Sequence, residues 1–281
     1  MEPMLPNLVI IGGAKCGTTS LHYYLSLHPE IFMSQPKELD FFIEEVSWWK
    51  GVGWYASRFE ASTKTIRGEA SPRYTRYPIY RGVPERMHSV IPQAKLIYIL
   101  RDPMERLISQ IIDDLSSSDA HQDLRSALLP FDASPFIAPS LQCRQLEQFV
   151  SYYKLSQILL IDAKELAQKR SETMAKVFRF LKVDETFTSK NFSLVLNPRS
   201  VKRERTRAYA LVKKFLALGP GRLIPYRLGL PVRHWLMRIS ARSLTAPAFD
   251  PELEARLLEM FHEDAVRLRR LTGLKFADWR V

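Results

Sequence analysis

The sequence predicts a three-layer α/β/α fold around a central parallel sheet, and three observations carry that prediction. Short apolar runs alternate with amphipathic stretches along most of the chain, the order expected of strands connected by helices. The runs Ile97–Leu100 and Ile158–Ile161 are apolar throughout, as strands covered on both faces are. The first run, Leu8–Ile11, meets two glycines and then an apolar pattern at helical spacing (Leu21, Tyr24, Leu25), so strand, glycine-bearing loop and helix follow one another directly.

The elements can be placed in order. Strands are predicted at Leu8–Ile11, Glu30–Met33, Ile66–Glu69, Lys95–Leu100 and Gln157–Ile161. Helical patterns occupy Thr18–Leu27, Ile79–Val90, Pro103–Leu115, Gln142–Tyr153, Glu172–Leu181 and Pro251–Leu271. At Pro103 the start is marked locally, with Asp102 as N-cap and proline in the first helical position. Ser116–Pro139 is polar and then proline-rich, which predicts a long surface loop or lid. The expected organisation is one domain: an α/β core over 1–198, a basic helical segment over 199–247 and a closing helix within 248–281.

With 281 residues, 46% hydrophobic and 25% charged, the chain can bury a core as an ordinary soluble globular protein. Its cysteines, Cys16 and Cys143, form no C-x-x-C pair, which argues against a disulfide framework or zinc site. No H-x-x-x-H pair or acid cluster calls for a metal. The start of the chain lacks a basic region ahead of an apolar run, and no apolar stretch approaches the ~20 residues of a membrane span. A cytoplasmic protein is therefore expected. The net charge of +11 is concentrated: Arg199–Arg242 holds twelve Lys/Arg and a single acid, Glu204. Interleaved with Tyr209, Phe215, Tyr226 and Trp235, these cations suggest peripheral attachment to an anionic membrane face. A polyanionic acceptor would account for them equally well. No nucleic-acid module accompanies them, so nucleic acid is not expected as a partner.

The loop after the first strand is P-loop-like in outline and different in detail. Backbone N–H groups and the positive end of a helix dipole suit a phosphate. A nucleoside-triphosphate loop reads G-x-x-x-x-G-K-[ST], its lysine reaching the β/γ-phosphates. Here Gly12 and Gly17 keep the glycine spacing, but Thr18 stands at the lysine position and Lys15 lies inside the loop. That arrangement suits one 5′-phosphate with a cation at its leaving oxygen better than a magnesium-bound triphosphate.

Four segments in order, GGAKCGTTSLHYYLSLHPEI, PKELDFF (Pro36–Phe42), GEASPRY (Gly68–Tyr74) and KLIYILRDPMERLIS (Lys95–Ser109), resemble the sulfotransferases that use 3′-phosphoadenosine 5′-phosphosulfate (PAPS). The resemblance is nearest to the heparan-sulfate-type and bacterial carbohydrate enzymes. It runs from about Pro6 to Asp184, with a weaker echo in FDPELEARLL…LTGL…DW. It implies that Lys15, Gly17, Thr18 and Thr19 hold the 5′-phosphosulfate, with Lys15 neutralising the leaving phosphate. It further implies that Arg101 and Ser109 hold the 3′-phosphate, and that Glu38, in an E-x-x-F-F pattern, is the general base. Arg199 and Arg203 fall where relatives supply further cofactor contacts. Asp40, Glu69 and Arg73 are candidate acceptor-binding residues, Glu69 also being a second candidate base. Ala70 replaces the lysine of the E-K-[ST]-P pattern, which weakens a heparan-type acceptor. The implied reaction transfers a sulfuryl group to a hydroxyl, or less readily an amine, of a carbohydrate, glycolipid or small hydroxylated molecule. The competing expectations are a P-loop kinase-like ATP enzyme, with Asp102 as the nearest magnesium ligand, and a non-enzymatic protein that binds membranes or polyanions. His22 is a further, remote candidate base.

Overall fold

A computed structural model describes residues 4–60, 62–117, 128–131, 133–194, 203–205, 241–243 and 249–281. Five strands form one parallel sheet: β1 (Leu8–Gly12), β2 (Ile31–Met33), β3 (Ile66–Ala70), β4 (Lys95–Leu100) and β5 (Ile158–Asp162), in the spatial order β2-β3-β1-β4-β5. All four pairings are parallel. Each predicted strand is present to within a residue at either end.

The run-through apolar character of the strands has its reason in the layers. Along β1, Val9 and Ile11 face one core while Leu8 and Ile10 face the other; along β4, Leu96, Tyr98 and Leu100 alternate in the same way with Ile97 and Ile99. One face is covered by α1 (Thr18–Ser26) and a helix over Arg170–Leu181; the other by α2 (Gly51–Ala56), α3 (Val83–Val90), α4 (Pro103–Ser117) and α5 (Gln142–Val150). After β5 follow α6 (Ala163–Gln168), α7 (Arg170–Leu181) and, later in the chain, α8 (Pro251–Thr272). Leu257, Phe261 and Leu268 of α8 are fully buried, each contributing ~1.5–3 kcal/mol by leaving water. From α8, Asp264 accepts hydrogen bonds from the first-turn N–H groups of Cys143 (2.8 Å) and Arg144 (3.0 Å), capping α5 from across the molecule.

Several boundaries differ from the sequence expectation. The helix predicted from Ile79 begins only at Val83, because Gly82 sits at φ 68 and serves as its N-cap. The helices Gly51–Ala56 and Ala163–Gln168 are too short to show a period. The Ser116–Pro139 segment is not a surface lid over its described part: Leu128 and Ile137 are buried in the core. Arg106, itself buried, pins this segment by donating to the Ser140 hydroxyl (2.6 Å) and the Phe136 carbonyl (2.5 Å). Burial pushes its guanidinium down to about 10. Within the expected basic helical segment, residues 203–205 and 241–243 are instead two antiparallel strands, β6 and β7, of which β6 lies against α4. The rest of that segment, Arg199 included, lies outside the described residues.

Strand order decides where a ligand can bind. From β1 the chain moves to the β3/β2 side of the sheet; from β4 it moves to the β5 side. The crevice between the carboxyl ends of β1 and β4 is therefore the switch point of the sheet, where open α/β folds bind ligands.

Candidate active site

The loop leaving β1 fills that crevice. Gly13 N–H donates to the Ile99 carbonyl of β4 (2.9 Å), holding the loop against the strand end. A Cβ on Gly12 would meet the Thr75 hydroxyl at 2.1 Å, and one on Gly13 the Ile99 carbonyl at 2.9 Å, so these positions admit only glycine. Gly17, at φ 102, is the N-cap of α1, and no side chain caps that helix. Its first-turn N–H groups are thus available to an anion at the positive end of the helix. Lys15 sits at φ 69, a left-handed conformation unfavourable for a side-chain-bearing residue. Its ammonium pairs with Asp113 of α4 at 2.8 Å.

Lys15 stands between two clefts. One, of about 490 Å³, is walled by Lys15, Gly17, Ser20, Arg101, Asp162 and Trp279 among others. The second, of about 500 Å³, is lined by Lys15, Thr18, Thr19, Glu38, Arg73 and Arg76 together with Tyr80, Gln110 and Asp113. Both volumes suit small-molecule sites. A group transferred past Lys15 would pass from one cleft to the other.

Arg101 follows directly on β4 in the first cleft. Gln142 fixes its backbone at both ends, accepting from its N–H (2.9 Å) and donating to its carbonyl (2.5 Å). The guanidinium forks onto Glu105 (Nε 3.1 Å, Nη2 2.8 Å) and donates to the Lys15 carbonyl at 3.2 Å. Asp102 caps α4 through the Glu105 N–H (2.9 Å), and its other oxygen accepts from Arg280 N–H (2.6 Å). The Trp279 indole donates to Asp162 at 3.1 Å. The segment carrying the D-W echo thereby closes the first cleft across the ends of β4 and β5. The Cys16 thiol below the loop is pushed up to about 11 by burial, which keeps it protonated and unreactive.

The second cleft takes one carboxylate, Glu38, from the PKELDFF loop and another, Asp113, from α4. Glu38 N–H donates to the Ala70 carbonyl (3.1 Å) and Asp40 N–H to the Ser71 hydroxyl (3.0 Å), so the loop is docked on the end of β3. Glu38 and Asp40 both have positive φ, 66 and 49. Such backbone strain collects at functional sites. The Glu38 side chain is 46% exposed and pairs with Lys37. Asp40 is buried and pairs with Arg73 at 3.0 Å. Burial dominates over that arginine and lifts Asp40 to about 6.

Glu69 occupies a different place from the acceptor-facing one expected of it. It is fully buried, lines neither cleft, and accepts from the hydroxyls of Tyr55 (2.8 Å), Tyr74 (2.8 Å) and Ser71 (2.7 Å). Through Ser71 it supports the Asp40 loop. Burial outweighs the three hydroxyl donors and raises Glu69 to about 7, so the folded state binds a proton that the unfolded chain, at 4.5, releases earlier. Its stabilising share is present at low pH and lost as pH rises through about 7. Glu69→Gln should therefore flatten the fall in Tm between pH 5 and 8, a term of about 3 kcal/mol in wild type; an unchanged slope would assign that fall to other groups. Ser109 is also off the clefts: it is buried on α4 and lines neither. His22 is buried with Nε2 at 3.2 Å from the Ser34 carbonyl, and burial lowers its pKa. Only the backbone of Arg203 is described, in β6.

Arg76, Gln110 and Asp113 were not singled out from the sequence. For Arg76 a signal existed: it lies three residues after Arg73, directly following the Pro72–Thr75 3₁₀ turn, and both arginines line the second cleft. The others arrive from distant elements and leave no local trace. Among the described residues no group of three or more His, Cys, Asp or Glu is placed to hold a metal.

Comparison with known proteins agrees with this geometry. A family model described as Sulfotransferase domain matches residues 5–209. The human bifunctional heparan sulfate N-deacetylase/N-sulfotransferase 2 is 27% identical over 193 residues, covering 63% of this chain and 22% of that protein. The membrane-associated sulfotransferase kil1 of Dictyostelium discoideum is 41% identical over 110 residues, 38% of this chain and 22% of that protein. The chain thus spans about a fifth of the length of these relatives. Among solved structures, a sulfotransferase from Alicyclobacillus acidocaldarius superposes with a TM-score of 0.70 at 21% identity, covering 98% of this chain and 99% of that one. Mouse sulfotransferase SULT7A1 complexed with PAP gives 0.51 at 14% identity, covering 92% and 83%. These two likenesses show the P-loop-like α/β fold.

Proposed function

The chain belongs to the sulfotransferase domain family, and from that premise we propose that it moves a sulfuryl group from PAPS to a hydroxyl of a carbohydrate acceptor. The observation that carries this reading is Lys15, a cation held at the junction of two clefts beside an uncapped helix N-terminus. The first cleft fits a nucleotide: Lys15, Gly17, Ser20 and Arg101 line it, and the first turn of α1 continues from it into the second cleft through Thr18 and Thr19. When bound, PAPS supplies a sulfuryl group on a phosphate that leaves. Lys15 would neutralise charge on that leaving oxygen, and the N–H groups of Thr18 and Thr19 would hold the 5′-phosphate. Arg101, now paired with Glu105, would hold the 3′-phosphate in its place. In the second cleft Glu38 accepts the proton of the attacking hydroxyl.

The binding test uses adenosine 3′,5′-bisphosphate, the desulfated product. It should raise Tm without magnesium, by mass action on the folded state. A rise with Mg-ATP and none with the bisphosphate would overturn the reading. Because Glu105 competes for the Arg101 fork, Glu105→Gln should bind the bisphosphate about three- to tenfold tighter; weaker binding would show that Glu105 orients Arg101 instead.

No helix among the described residues is long and apolar enough to cross a membrane. The basic residues 199–242 would supply a peripheral contact with an anionic surface, as part of the same proposal, for an enzyme working at the cytoplasmic face.

A further inference from the structure

The charges of the second cleft do not cancel. Lys15 is paired with Asp113, Lys37 with Glu38, and Arg73 with Asp40. Arg76 is the cation left over among the described residues there. Its Nε is buried without a partner, and its guanidinium makes no ion pair or side-chain hydrogen bond. Burial lowers its pKa, a sign of a charge removed from water without full compensation. On α4, Gln110 lines the same cleft, and its side-chain carbonyl oxygen is likewise buried without a partner. Arg73 differs from Arg76: burial opposes its charge, but Tyr80 and Asp40 outweigh burial and raise its pKa.

A guanidinium whose Nε is buried without a partner and a buried, unpartnered amide oxygen, on two residues that line one cleft, are expensive to leave unmet. A planar fork is met best by an oxyanion with two oxygens, and a lone carbonyl by a hydroxyl. We propose that Arg76 and Gln110 form an acid-sugar subsite, Arg76 taking a carboxylate or ester phosphate of the acceptor and Gln110 a neighbouring hydroxyl. The acceptor of this cleft is then an anionic sugar rather than a neutral one. This rests on the sulfotransferase reading and narrows its acceptor, and the two arginines that flank the end of the 3₁₀ turn divide the work between them. Arg73 is spent on holding Asp40 and the Glu38 loop, while Arg76, one turn on, is left for the ligand.

The test measures binding of three small sugars to the whole protein saturated with adenosine 3′,5′-bisphosphate: methyl glucuronide, methyl glucoside 6-phosphate and methyl glucoside. At least one anionic sugar should bind about tenfold or more tighter than the glucoside, a charge-assisted pair being worth that much. The better of the two identifies carboxylate or phosphate as the recognised group. Arg76→Gln should abolish the advantage and Arg76→Lys restore it only in part, since an ammonium keeps the charge without the fork. Tm and bisphosphate affinity of both variants report that the fold and the first cleft are intact. The subsite is overturned if neither anionic sugar gains over the glucoside in wild type, with no binding of any counted as no gain. It is equally overturned if the gain survives Arg76→Gln. Failure to bind the bisphosphate at the outset would instead sink the sulfotransferase reading.

Discussion

Glu38→Gln is expected to lower kcat for sulfuryl transfer by about 10²–10⁴ while changing the affinity for adenosine 3′,5′-bisphosphate less than about twofold. The amide keeps the shape of the side chain and cannot take a proton from the attacking hydroxyl. The local geometry makes the experiment clean: Glu38 lines the second cleft and not the first, and its backbone N–H is tied to the Ala70 carbonyl at 3.1 Å. Single-turnover transfer from labelled PAPS, beside calorimetry with the bisphosphate, separates the two quantities. Transfer at the wild-type rate would remove Glu38 as base. Asp40→Asn would then be the next variant, since Asp40 rises to about 6 beside the same loop.

Lys15→Ala is expected to cost about 10²–10³ in kcat, the range for removing one electrostatic stabiliser of a developing charge. A complication is conformational. Lys15 lies at φ 69, where alanine is strained by ~1 kcal/mol or more and glycine is not. Lys15→Gly should therefore be at least as heat-stable as Lys15→Ala and equally slow, because both lack the ammonium. If the glycine variant recovered the wild-type rate, the lysine would matter for its backbone alone. Loss of bisphosphate binding without loss of kcat would place Lys15 in ground-state binding rather than at the leaving oxygen.

The pair of predictions also separates two kinds of information in the chain. Lys15 and Glu38 were legible because each sits in a short segment whose local chemistry is unusual: a cation between two phosphate-loop glycines, and a carboxylate ahead of two phenylalanines. Gln110 was not, since it has no unusual neighbour in sequence, and Arg76 was marked only by Arg73 three residues before it. Their meaning comes from lying across one cleft, on a turn after β3 and on α4, with no partner. Glu69 shows the opposite failure. A carboxylate at a strand end reads as a site residue, yet three hydroxyls from Tyr55, Tyr74 and Ser71 enclose it below the site. Sequence could not report this, as Tyr55 comes from a helix too short to betray itself by period.

By itself the sequence determined the strands of the sheet, the glycine-bearing phosphate loop and the residue types of the chemistry. Local rules suffice for these: apolar runs make buried strands, and only glycine tolerates the close approaches of Gly12 and Gly13. Tertiary structure alone decided the strand order, and with it the crevice at β1 and β4. It also decided the two clefts on either side of Lys15, the pairing of Lys15 with Asp113 and the isolation of Arg76. Those are balances of charge and burial between groups far apart in the chain. A side chain's partners are fixed by which elements the core packs together, and no spacing in the sequence encodes that.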